Sequence, residues 1–395
     1  MIQILFFAEA VTLAHIARCI TLADALHASG QYTITIAADS RYDDIIDAVS
    51  FQRVPLHSIS SDYFAKKLAD GMPIYDVKTL TGYVNEDLAI IDQIKPDFII
   101  ADFRLSLAIS ARIKNIPYAS ITNAYWSPYA DIKYPVPEIP LTKFVGVSIA
   151  QKLFDLVRPI VFKLHTLAFN KVCKKFRQPL LGSDLREVYT HADYTLYADS
   201  EDLIPMTALP ENHVFIGPLL WSAKVSLPSW WDTLPLDKPI VFITLGSSGD
   251  SSVLPMLLET LNKMPVIVLC VTAKKIEIET SYSNVFSTEF LPAELAVKKA
   301  DIVICNGGSP MVYQSMAENK FVIGLPSNLD QYLMMTLASN AGFGELIRAG
   351  KANSYNVERA VNVGLGVKKK NIAGVGCSLD IKKVTSIIKA ATEGG

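Results

Sequence analysis

Short, continuous apolar runs recur along this chain, each followed by a stretch with helical periodicity. They read as strands at 2–7, 32–37, 97–101, 118–122, 194–197 and 213–216, and again at 240–245, 266–271, 284–288, 302–305 and 321–324. Continuous rather than alternating hydrophobicity is what a strand needs when helices cover both faces of its sheet. Two such series predict an α/β chain of two Rossmann-like, doubly wound domains. At 395 residues the chain exceeds one ordinary core, and fits two domains of roughly 150–200 residues each. The expected division is 1–220, a linker at 221–238 rich in Pro and Trp, 239–378, and a C-terminal helix at 379–395 able to cross back. Ile381, Val384, Ile387 and Ile388 mark the apolar face of that helix, and 367–376 reads as a loop. Open α/β sheets hold ligands beyond the carboxyl ends of their strands. The expected site therefore lies in a cleft between two facing domains.

Charge and cysteine usage narrow the partners. A net charge of −2 gives no basic surplus for nucleic acid. The five cysteines are scattered, without zinc-like or disulfide-like spacing, as in a reduced cytoplasmic protein with no bound metal. The opening IQILFF reads as a strand rather than a signal peptide. No apolar run reaches the roughly 18 residues of a membrane span.

The first strand–helix junction, FFAEAVTLAHIARCITLADAL at 6–26, holds a histidine at a helix start. Ile16, Cys19, Ile20, Ala23 and Leu26 share one helical face, which places His15 at or just before the first turn. The positive end of a helix disfavours an imidazolium, and a neutral imidazole can accept a proton. Position alone also fits a histidine that merely caps the helix. Asp102 follows DFIIA at the carboxyl end of another strand of the same sheet. A carboxylate there can receive the His15 ring N–H and fix its tautomer. On its own it is also an ordinary loop or N-cap aspartate.

In the second series, ITLGSSGD ends a strand on Gly246, Ser247 and Ser248, whose amides and hydroxyls suit a phosphate or make a small-residue turn. Further on, ICNGGSPMVYQSMAENKFVIGLPSNLDQ turns on Gly307 and Gly308. Bare backbone there admits a ligand, and the amides that follow open a helix able to hold a diphosphate. Asp330 and Gln331 lie one strand–helix unit later, where a carboxylate and an amide can partner several sugar hydroxyls. Together these groups describe a nucleotide-sugar site.

The run FLPAELAVKKADIVICNGGSPMVYQSMAENKFVIGLPSNLDQ resembles the donor-binding signature of macrolide-type GT-B glycosyltransferases, relatives of the UDP-glycosyltransferases. FNKVCKKFRQPLLGSDLREVYTHADYTLYADSEDLIP, HVFIGPLLW and LAHIARCITLADALHASGQYTITIA are similar to the same family, so the likeness spans roughly residues 1–350. The resemblance implies a GT-B fold with the acceptor on the first domain and the nucleotide sugar on the second. It implies His15 as the base, Asp102 as its orienting partner, and in-line attack with inversion at the anomeric carbon. Gly246, Ser247, Ser248, Asn306, Gly307, Gly308, Ser309, Gln314, Asp330 and Gln331 would bind a UDP- or dTDP-hexose, with no metal and no bound cofactor.

Some positions depart from that pattern. Asn306 stands where the family usually has histidine, Met311 where it has Ser or Thr, Gln314 where it has Glu, and Ala14 where it has Gly. Asn306 still donates a hydrogen bond but carries no charge, and Met311 donates nothing. LAHIARCITLADAL also resembles the H-x-x-R start of a GT-B-fold hydrolase that releases UDP from an amino sugar, and some family members are helper subunits of a partner transferase. Both alternatives stay open in the sequence. The acceptor is a small molecule, natural product, or lipid or glycan hydroxyl. The aromatic loop 124–140 can line its pocket or pack on its own domain. Residues 151–177 carry Lys152, Arg158, Lys163, Lys171, Lys174, Lys175 and Arg177 among apolar residues, as a surface helix or one that lies on an anionic membrane. Room for a homodimer remains.

Overall fold

A computed structural model describes residues 1–46, 49–246, 249–276, 278, 282–366 and 375–393. The predicted loop at 367–376 falls largely outside them, as do Ser247 and Ser248. The chain forms two compact units. The first comprises Met1–Lys133, Ser148–Leu219 and Ser378–Gly395; the second comprises Tyr134–Val147 and Leu220–Cys377. Residues 134–147 thus group with the second unit, whereas the sequence reading assigned them to the first.

The first unit is built on β1 (Ile2–Ala8), β2 (Tyr32–Ala38), β3 (Gln52–Pro55), β4 (Phe98–Asp102), β5 (Tyr118–Thr122), β6 (Tyr194–Tyr197) and β7 (His213–Phe215). All pairs are parallel, in the order β3-β2-β1-β4-β5-β6-β7. Leu5, Phe7, Ile99 and Ala101 are fully buried, which explains why these strands read as unbroken apolar runs. Strand order reverses between β1 and β4, where Ala8 lies opposite Asp102. Such a switch point opens a crevice at the carboxyl ends of the strands.

Two helices brace that point. Leu13–His27 buries Ile16, Cys19, Ile20, Ala23 and Leu26, the face its sequence periodicity marks. The last helix, Ile381–Glu393, buries Val384 and Ile388 and packs against Leu13–His27 and β4.

The second unit repeats the plan with β8 (Ile240–Thr244), β9 (Ile267–Val271), β10 (Val285–Thr288), β11 (Ile302–Cys305), β12 (Phe321–Gly324) and β13 (Gly344–Leu346), ordered β10-β9-β8-β11-β12-β13 and parallel throughout. Its switch point lies between β8 and β11. Val241, Ile243, Leu257, Leu261, Val268 and Ile304 fill one face of its core. The inserted segment 134–147 is pinned by Glu138, which accepts from Tyr332 Oη at 2.8 Å and pairs with Arg348 at 2.9 Å. Trp231 is buried and carries Lys299 over its ring at 4.4 Å, and Trp230 packs at a tilt against Phe286 with ring centroids 5.6 Å apart.

A helical stretch, Pro140–Lys175, breaks its helical backbone at Gly146 (φ 76°, ψ 161°), near where the chain passes from the second unit to the first. Only glycine takes that conformation at no steric cost. Among the described residues no helix is long and apolar enough to cross a membrane.

Candidate active site

The helix after β1 starts at Leu13, and its N-cap Thr12 makes no side-chain cap bond. His15 sits in the first turn, and Arg18 follows one turn on, on the same face. Asp102 closes β4 beside them, fully buried, and its carbonyl accepts from the Glu9 amide at 3.1 Å. His15 Nδ1 lies 2.7 Å from Asp102 Oδ1. An ionised carboxylate only accepts, so Nδ1 carries a proton, and in the neutral ring Nε2 keeps its lone pair. His15 thus sits in the first turn of its helix and pairs with Asp102 as well.

Arg18 is the partner that sequence reasoning missed. Its Nε and Nη2 donate to Asp102 Oδ2 and Oδ1 at 2.6 and 2.7 Å, a two-pronged clamp. Its Nη1 donates to Asn123 Oδ1 at 2.8 Å, and Asn123 in turn donates to Asp199 at 3.0 Å. The signal was present as the i, i+3 spacing of His15 and Arg18, quoted for its likeness to a hydrolase motif but not as a bond. Burial alone would lift the Asp102 carboxyl; the Arg18 charge, with His15, outweighs it and holds Asp102 below the usual carboxylate range.

Phe103 stacks on the His15 ring at 4.8 Å and 16°. It does so from a left-handed backbone (φ 59°), a costly conformation for an aromatic residue and one that clusters at functional sites. Phe64 and Tyr189 pack around Phe103 at 5.7 and 5.5 Å, and Trp126 meets Tyr189 at 5.4 Å. Trp126 and Tyr129 of loop 124–140 thus pack on the first unit, Trp126 beside the Phe103 cluster.

A second buried network lies under the same turn. Arg104 is wholly buried and donates to Glu9 Oε2 and Asp87 Oδ1, both at 2.9 Å, to Glu86 Oε2 at 2.7 Å and to the His57 carbonyl at 2.7 Å. Tyr83 donates to Glu9 at 2.8 Å and presents its ring 3.6 Å from the guanidinium. Burial raises Glu9 and Asp87 above the usual carboxylate range despite the Arg104 charge. One cation serving three carboxylates fixes the loop that leads into the His15 helix.

In the second unit, Gly246 ends β8 with φ 60°, and Asn306, Gly307 and Gly308 end β11 beside it at the switch point. Asn306 is buried, and its Oδ1 accepts from the Gly308 amide at 3.1 Å. Gly307 has φ 80°, but a side chain there would strike Met335 Cγ at 2.4 Å. The missing side chain at Gly307 makes room for Met335. Gly308 is less crowded: its nearest neighbour would be Asn306 Oδ1 at 3.4 Å. Ser309 opens the helix Ser309–Ala317, with Gln314 buried one turn later.

Asp330 stands in the first turn of the helix Leu329–Asn340, whose cap Asn328 accepts from the Gln331 amide at 3.1 Å. Gln331 is buried, and its side-chain oxygen accepts from Ser327 N and Oγ at 2.8 and 3.0 Å. That oxygen holds its own loop.

A cavity of about 590 Å³ in the first unit is lined by Arg112, Pro117, Tyr118, His191, Asp193 and others, at the amino ends of β5 and β6. Ligands of open α/β sheets lie at the opposite ends, so this cavity is not the place of the chemistry. Among the described residues no cluster of three or more His, Cys, Asp or Glu could hold a metal ion.

Two doubly wound parallel sheets, one with a His–Asp pair and the other with a small-residue and amide cluster at its switch point, define the class. The whole chain superposes on the glycosyltransferase of kitacinnamycin with a TM-score of 0.68 at 16% identity, covering 99% of this chain and 95% of that one. It matches the spinosyn rhamnosyltransferase SpnG complexed with thymidine diphosphate at 0.65 and 13% identity, covering 100% and 96%. The fold is GT-B. No protein-family model matches the chain. By sequence it is 42% identical over 359 residues to a PGL/p-HBAD biosynthesis glycosyltransferase of Mycobacterium tuberculosis, covering 91% of this chain and 84% of that protein. It is 41% identical over 359 residues to a PGL/p-HBAD biosynthesis rhamnosyltransferase of Mycobacterium bovis, covering 91% and 80%. The chain belongs to the family these proteins form, and it is a glycosyltransferase.

Proposed function

We propose that this glycosyltransferase inverts, moving a hexose or deoxyhexose from a dTDP- or UDP-sugar onto an acceptor hydroxyl. The observation that carries the reading is the 2.7 Å bond between His15 Nδ1 and Asp102, which leaves Nε2 as the base. His15 Nε2 takes the hydroxyl proton while the oxygen forms its bond to the anomeric carbon. The bond from that carbon to the diphosphate oxygen breaks on the opposite side, and the nucleoside diphosphate leaves with the electron pair. Asp102, held by Arg18, fixes the imidazole tautomer and orientation.

On this reading the first unit takes the acceptor and the second the donor. The Gly308 and Ser309 amides at a helix start, with Asn306 and Gly246, hold the diphosphate in place of a resident metal or cofactor. Gln314 meets the ribose, and Asp330 and Gln331 meet the sugar hydroxyls. A thymidine nucleotide is favoured because SpnG and VinC, two neighbours in fold, were solved with thymidine diphosphate and dTDP, and because relatives carry the name rhamnosyltransferase. An apolar acceptor is supported by the aromatic residues packed around Phe103 beside His15. A cytoplasmic setting is supported by five cysteines that are all free thiols.

Thermal shift with dTDP, UDP, GDP and CDP tests the donor site. A nucleotide at a hundred times its Kd adds about 2.7 kcal/mol of stability, so dTDP or UDP shifts the melting curve selectively. No shift with any of the four would remove the donor site from the second unit. Asp330→Ala weakens binding of the sugar nucleotide by roughly tenfold while leaving the bare nucleotide unchanged, as one hydrogen bond to a charged group is worth about 1.5–3 kcal/mol. Equal losses for both ligands would show that Asp330 does not face the sugar.

A further inference from the structure

The helical stretch Pro140–Lys175 is apolar on two faces. One packs inward, with Ala150, Phe162, Phe169 and Val172 buried. The other faces water: Ile149, Leu153, Leu156, Ile160, Leu164 and Leu167 recur at helical spacing, with Leu156 73% and Ile160 61% exposed. By helix geometry that stripe runs for about 27 Å. Scattered single apolar residues on a surface need no explanation, but a contiguous stripe does.

We infer that this stripe is a docking face for an anionic lipid surface, on which the helix lies in the plane of the headgroups. Charge selects that occupant. Lys163, Lys171, Lys174 and Lys175 are exposed and fall on or beside the stripe. The one acid between 148 and 175, Asp155, accepts from Gln151 at 2.9 Å. A helix with an apolar strip and flanking lysines binds by burying the strip while the amines reach lipid phosphates. A second copy of the chain would bring lysines against the same lysine-bearing stripe, with almost no acid to meet them. The helix cannot span a bilayer, because its other face is committed to the core. Docked so, the first unit would meet acceptors borne by the lipid, yet the inference stands apart from the transfer chemistry.

Vesicle flotation of the full chain tests it, using phosphatidylcholine with or without about one-third phosphatidylglycerol, at low and physiological salt. The chain partitions onto the anionic vesicles at least about tenfold more strongly than onto neutral ones, since each lysine near such a surface contributes about fivefold. The double variant Leu156→Glu, Ile160→Glu keeps its melting temperature, both residues being exposed, and loses most of that binding. Charge reversal at the four lysines removes the preference for anionic lipid. Absence of binding to anionic vesicles at low salt overturns the inference, as does binding unchanged in the double variant. A concentration-dependent dimer abolished by the same substitutions, without vesicle binding, would overturn it in favour of a second copy.

Discussion

His15→Ala lowers kcat/KM by about 10²–10⁴-fold, the usual worth of a positioned general base, while the dTDP-induced thermal shift stays at its wild-type size. The variant keeps its fold because His15 is partly exposed and Asp102 retains both bonds from Arg18. A steady-state assay beside a melting curve separates the two readouts. Near-normal turnover would remove His15 as the base. Asp102 is the poorer target, because any change there also strands Arg18, whose guanidinium is buried and whose charge has no nearer acid. Loss of activity in an Asp102 variant would therefore mix chemistry with folding.

The largest effect on stability is expected at Arg104. Arg104→Met removes the one cation from a buried site that keeps Glu9 and Asp87, and costs about 3–5 kcal/mol, the penalty for breaking a buried pair from one side. The pH dependence has a definite sign. Both carboxyls have folded-state pKa values raised above the unfolded ones, so their ionised forms oppose folding. With Arg104 gone they are raised further, and stability lost near pH 8 returns as pH falls and they take up protons. Asp102 acts in the opposite sense: its folded value is depressed, so its contribution is present above the ordinary carboxylate range and lost as pH falls through the lowered value. The variant should therefore be most stable in a mildly acidic window, bounded by Glu9 and Asp87 above and Asp102 below. A melting temperature that falls steadily from pH 8 to pH 5 in Arg104→Met would contradict this account.

Most strands were legible because a parallel sheet buried on both faces writes itself as continuous hydrophobicity. The two strands not read, β3 and β13, lie at sheet edges and are short, QRVP with a proline and the tripeptide GEL. An edge position needs no unbroken apolar run, and proline is tolerated there. At the site, His15 and Asp102 were each readable from their places at strand ends. Their pairing rests on β1 and β4 being neighbours, a fact of topology across 87 positions that no spacing encodes. The Arg104 network was unreadable for the same reason, since its acids lie 95 and 17 positions away. No spacing shows either that Met335 fills the space beside Gly307 and over Gly324.

The order in which the ribosome releases the chain acquires a meaning from the crossings at 133/134, 147/148, 219/220 and 377/378. Neither unit is a continuous piece of polypeptide. The first unit cannot complete its packing on β4 until Val384 and Ile388 have emerged, after the whole of the second unit. Folding one half while the other is still being synthesised, the common route for tandem domains, is closed to it. Chimeras joined at the linker inherit the same constraint: a second unit grafted from a relative must bring its own 134–147 segment, and the first unit must keep its own C-terminal helix.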